Sequence, residues 1–139
     1  MNTITAQRSV LRSAGYILIS ISGNMVMSIL FVRILRVPIF MDSIFTVWVT
    51  LIAGLVPGLL AGALYNIVSS MLIYTLGIQV LYGLCNMATA LVVWIIARKK
   101  KNLTVFDLAL TALCVAFANS IIGGIVSAAI NQGIDRFPT

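Results

Sequence analysis

Residues Pro38 to Ser69, PIFMDSIFTVWVTLIAGLVPGLLAGALYNIVS, decide the fold, because they join an acid, a Pro-Gly break and a ladder of small residues within one apolar stretch. Between Arg36 and Arg98 the only charge is Asp42, and Ser43 to Ala97 runs far beyond the ~20 residues of one bilayer crossing. As a single helix, Ser43 to Leu76 would be roughly 50 Å long against a hydrocarbon core of ~30 Å. Tilt does not absorb that excess, so the segment must fold back. Leu55-Val56-Pro57-Gly58 is the expected turn, since Pro57 disfavours helix at Val56 and starts a new helix well. Gly58 to Ala97, roughly 60 Å as one helix, requires a second break near Thr75-Leu76-Gly77.

Working outward, the whole chain has the composition of a membrane protein. Its 139 residues are 61% hydrophobic and 9% charged, with a mean hydropathy of +1.13. A soluble domain with a polar exterior does not reach these values. Apolar segments of spanning length, rather than alternating strands of about ten residues, predict an all-α polytopic transmembrane helix bundle in one domain, residues 1–139. Five spans are expected, at approximately 14–32, 39–55, 58–76, 79–97 and 105–130. Ser13 to Val32 is too long for a secretory signal and ends in Arg33 rather than a cleavage site, so it reads as a retained first span.

The net charge of +6 comes from short basic clusters between apolar segments and not from a basic face interleaved with aromatics, which argues against nucleic acid. With the N-terminus inside, Arg8, Arg12 and Arg98 to Lys101 are cytoplasmic, while Arg33, Arg36 and Arg136 are outside. Six basic residues against three favour this orientation in a cell membrane. It puts Asp42 outside and the Pro57 turn inside.

Chemistry-bearing motifs are few. There is no phosphate loop, no H-E-x-x-H, no G-x-S-x-G and no carboxylate pair, and histidine and glutamate are absent. An enzyme is not expected, nor is a metal or other cofactor. Cys85 and Cys114 stand alone in apolar segments, which gives no disulfide or metal framework. Asp42 reads either as an N-cap of span two or as a ligand at a membrane edge. Thr104-Val-Phe-Asp107 has the spacing of a capping box, which makes Asp107 a helix cap.

Ser20, Asn24 and Ser28 share one helical face, which either meets a neighbour in the bundle or docks another subunit. Gly58 and Gly62 form a second small face. Asn24, Thr46, Asn66, Asn86, Asn119 and Ser120 bring amides and hydroxyls into the spans, suited either to interhelical hydrogen bonds or to a small polar solute. By depth, Thr46, Asn86 and Asn119 join Asp42 as candidates to line one outward-facing pocket.

Asp42-Ser43-Ile44-x-Thr46, then Gly54-Leu-Val-Pro57-Gly58-x-x-Ala61-Gly62-x-x-x-Asn66, then Asn86 before a basic loop, resemble the S components of energy-coupling factor (ECF) transporters over roughly Pro38 to Lys101. The resemblance implies a subunit that captures a vitamin-like micronutrient outside and delivers it to a transmembrane coupling subunit and two cytoplasmic ATPases. The solute site is then Asp42, Thr46, Asn86 and Asn119, and the docking residues are Ser20, Asn24, Gly58 and Gly62. On this reading Gly62→Leu impairs docking and spares solute affinity. Two features depart from the family. Six helices are usual where five are present, as if a last helix were missing, and the alanine-rich motif of the first span is replaced by Ser20-x3-Asn24-x3-Ser28. The alternative is a membrane sensory input region of a signalling protein; a passive channel fits less well, with no charged ring or carbonyl filter.

Overall fold

The structure, a computed structural model, describes residues 3–36, 42–72, 79–98, 100 and 102–134. Among these residues it is all helix: α1 Thr3–Ser28, continued by a wide π turn Ile29–Ile34; α2 Ile44–Ala53; α3 Leu55–Leu72; a 3-10 turn Gln79–Tyr82 leading into α4 Gly83–Ala97; and α5 Val105–Ile134. The helical bundle expected from composition is what forms. The helix bounds differ from the expected spans in three places, each with a physical reason.

First, the reversal lies at Gly54 and not within Leu55–Gly58. Gly54 has φ +95°, a conformation that L side chains rarely adopt, whereas α3 already begins at Leu55. Pro57 falls in its first turn, where a missing N–H removes no helical bond. A side chain added at Gly58 would run into Thr50 Oγ1, so the two arms fold back on each other about Gly54. Second, α2 has 10 residues, roughly 15 Å at 1.5 Å per residue, half the ~30 Å of a hydrocarbon core. Among the described residues four helices are long and apolar enough to cross a membrane, and α2 is not one of them. Third, α1 begins at Thr3, well ahead of the expected Ala14. The second break expected near 75–77, and residues 39–41, lie outside the described residues.

Glycine contacts set the register. Gly58 faces Ala90, Gly62 faces Asn86, and Gly83 faces Asn66, so advancing along α3 moves backward along α4. The same holds for α4 and α5, where Thr89 meets Asn119 and Cys85 lies beside Gly123. α1 runs antiparallel to α2, with Asn24 on Thr46 and Tyr16 edge-on to Trp48, centroids 5.8 Å apart. α2 and α3 are thus held between α1 and α4. Among the described residues α5 touches only α4 and the 3-10 turn before it.

Burial is inverted relative to a water-soluble protein. Among the described residues the buried hydrophobic ones are Val49, Ala61, Tyr65, Ala90, Val93 and Val126, six against eleven buried polar or charged ones, while large apolar side chains such as Leu18, Leu72, Leu113 and Phe117 are more than 60% exposed. An apolar exterior over a hydroxyl- and amide-rich interior is the arrangement that lipid as solvent requires, and it marks a membrane protein.

Local chemistry explains the start of α5. Thr104 N–H and Oγ1 donate to Asp107 Oδ2 at 3.0 and 2.8 Å, Asp107 N–H returns a bond to Thr104 Oγ1 at 3.3 Å, and Lys100 Nζ pairs with Asp107 Oδ1. The predicted capping box is present, with Lys100 added from the preceding loop.

Candidate functional site

α2 starts just after Asp42 and Ser43, the polar pair at the head of the hairpin. Asp42 and Asn66 stand equally far from Gly54 along the two arms of the hairpin, and Asn66 lies against Gly83. The carboxyl of Asp42 is also within electrostatic range of Cys85 on α4. Beyond that level α3 continues from Asn66 to Leu72, roughly 9 Å, and the 3-10 turn carries α4's end back to Gln79, about 8 Å. Asp42 therefore sits recessed below the helix ends around it.

The N-cap role considered for Asp42 is filled from elsewhere. The residue before α2 is Ser43, whose side chain makes no capping bond. Asn24 of α1 supplies the acceptor instead: Phe45 N–H donates to Asn24 Oδ1 at 2.9 Å, and Asn24 Nδ2 donates to Thr46 Oγ1 at 2.9 Å. One fully buried amide both starts α2 and fastens it to α1. Gly23 next to it makes room, since a Cβ there would lie 2.6 Å from the Phe45 ring.

Below Asp42 the polar groups satisfy one another. Thr50 Oγ1 donates to the Thr46 carbonyl at 2.7 Å and Asn66 Nδ2 to the Gly62 carbonyl at 3.0 Å. Thr89 Oγ1 donates to the Cys85 carbonyl at 3.0 Å and accepts from Asn119 Nδ2 at 3.1 Å. Because the Thr89 proton is committed, Asn119 is oriented with its amide nitrogen toward Thr89. Its Oδ1 is then a buried acceptor without a partner among the described residues, as are the hydroxyls of Ser20 and Ser70.

Among the described residues three of the four expected solute residues already have neighbours within the bundle. Thr46 is bonded to Asn24, Asn119 to Thr89, and Asn86 has its backbone against Gly62, within 3.1 Å of a Cβ built there. Two grooves open elsewhere, one over Leu18, Gly23 and Phe45, the other beside Gly54 and Arg98, and neither includes any of the four. The expected docking residues Ser20, Asn24, Gly58 and Gly62 all point into the bundle, where the two small faces are spent on helices of the same chain. For Ser20, Asn24 and Ser28 this is the intramolecular alternative.

Sequence reasoning misses Gly54 as the hinge and Asn24 as the cap of α2. The signal for Gly54 is present, since glycine tolerates positive φ and proline does not supply it. The cap has no local signal, as donor and acceptor lie on different helices. Among the described residues no cluster of His, Cys, Asp or Glu is built to hold a metal. Comparison with protein families, characterised proteins and solved structures finds no match to this chain.

Proposed function

We propose that this chain is the solute-binding membrane subunit of an ECF-type importer, with no enzymatic activity of its own, taking up a vitamin-like micronutrient with ATP-hydrolysing partners. The feature that supports this reading is Asp42, an ionisable group just before a half-length helix and as far from Gly54 along the hairpin as Asn66. A charge at such a position is costly and is retained where it meets a ligand. Transporters commonly build solute sites at the ends of interrupted helices.

In this reading Asp42 contacts the solute first. Thr46 and Asn86, deeper in the bundle, become available only if the bonds that occupy them are exchanged, and Asn119 offers its open Oδ1. The N-terminus is cytoplasmic, and Asp42 faces outside. A transmembrane coupling subunit seats on residues other than Ser20, Asn24, Gly58 and Gly62, which are already engaged.

Isolation of the tagged chain from its native membrane in mild detergent tests the reading. ATPase subunits are expected to copurify, and Asp42→Asn is expected to abolish ATP-dependent solute uptake at unchanged membrane abundance. Absence of ATPase subunits, or undiminished uptake by the variant, refutes it. A chain that instead remains fused to, or copurifies with, a signalling domain is a sensory input region.

A further inference from the structure

The groove beside Gly54 has a chemistry unlike the rest of the lipid-facing surface. It is lined by Thr50, Leu51 and Gly54 from the hairpin and by Trp94, Ala97 and Arg98 from the end of α4. It exists because α2 stops at Gly54, leaving a gap between the reversal and the last turn of α4. Arg98 lies over one wall, its guanidinium carbon 4.6 Å from the centroid of the Trp94 ring. A guanidinium held beside a ring by cation–π attraction still has N–H donors to offer.

The groove's other polar group does not compete for those donors. Thr50 has given its proton to the Thr46 carbonyl. Asp107, the acid described at this end of the bundle, is taken up by Lys100 and Thr104. No salt bridge joins Arg98 to an acid among the described residues. What is left is a bidentate cationic donor at the edge of a groove whose remaining walls, Leu51 and Ala97, are apolar. Leu51 is 42% exposed and runs from the groove toward the apolar belt. A ligand that fits has an anionic oxygen cluster at one end and hydrocarbon at the other, and a tryptophan one turn inside a basic cluster marks headgroup depth.

We infer that this groove holds the phosphate of an anionic phospholipid on Arg98, with the upper acyl chain against Leu51. The inference is independent of the solute-uptake reading, because the groove opens at the end of the bundle opposite Asp42.

The chain has two tryptophans, so Trp48→Phe leaves Trp94 as the single reporter. The full-length chain in bilayers carries phosphatidylglycerol or phosphatidylcholine brominated near the headgroup, at equal mole fraction. Quenching of Trp94 is expected to be stronger with the anionic lipid by about fivefold, the size of one basic contact at a membrane surface. Arg98→Gln is expected to remove the preference, and Arg12→Gln, an equal charge loss on α1, to leave it. Equal quenching by both lipids overturns the inference. So does an equal effect of both substitutions, which would mean diffuse surface charge, and so does loss of the preference in millimolar inorganic phosphate, which would mean a free-anion site. An Arg98→Gln protein with altered far-ultraviolet circular dichroism is replaced by Arg98→Lys, which keeps the charge but loses the planar stack and is expected to reduce the preference.

Discussion

Gly62→Ala is the most direct test of the bundle, because it adds one methyl at a close backbone approach between α3 and α4. The added Cβ would lie 3.0 Å from the Asn86 carbonyl carbon and 3.1 Å from Asn86 Cβ and O. Ordinary carbon contacts are ~3.5–4.0 Å, so the helices must separate by several tenths of an ångström. Backbone on the far side cannot rotate away, and overpacking of this kind costs about 1–3 kcal/mol. Replacing glycine inside a helix returns roughly 0.5–1 kcal/mol, which leaves a net loss of about 1 kcal/mol, within a range of roughly 0–2.5 kcal/mol. Gly124→Ala on α5 is the matched control, since a Cβ there meets nothing within 4 Å. It is expected to be neutral or stabilising by up to ~1 kcal/mol. Both are read in mixed micelles by titrating a denaturing detergent and following circular dichroism. A Gly62→Ala protein as resistant as wild type refutes the α3–α4 register. Gly62→Leu, a larger intrusion at the same place, is expected to disrupt the bundle and not merely the docking of a partner.

The hinge gives a second contrast: Gly54→Ala, at φ +95° with no neighbouring atom within 4 Å, is expected to cost about 1–3 kcal/mol through backbone strain alone. Pro57→Ala, in the first turn of α3, is expected to be near neutral in the same titration. A double-mutant cycle of Asn24→Ala and Thr46→Val should show a coupling of roughly 0.6–1.7 kcal/mol, the range for interhelical hydrogen bonds in membranes; Asn24→Ala alone should cost more, because Phe45 N–H then loses its acceptor, and strictly additive losses would mean that the two side chains are not bonded.

Those features governed by neighbouring residues are readable in the sequence. Spanning length and apolar content yield the helices, and the Thr104–Asp107 box is a local pattern with a local partner set. The break is expected later in the chain than it occurs because Pro57 is the louder signal, yet only a positive φ forces the reversal, and that need falls on Gly54. The length of α2 is not legible, since Phe45 to Ala53 merges with Leu55 to Leu64 into one apolar run. Its beginning is fixed by Asn24, on another helix. Asn24 itself stands out by its spacing from Ser20 and Ser28, but spacing does not tell whether a face turns to its own chain or to another protein. The same ambiguity covers Gly58 and Gly62. For the candidate pocket, depth along each helix groups Thr46, Asn86 and Asn119 but says nothing of the bonds that Thr46 and Asn119 already make or of the backbone of α3 beside Asn86.

α5 leans on the rest of the molecule along a single seam, with Asn119 on Thr89 as its described side-chain hydrogen bond to α4. During membrane insertion the four preceding helices therefore have no need to wait for it. Nothing in their mutual packing passes through α5, so the contacts that bind those four to one another are complete without it.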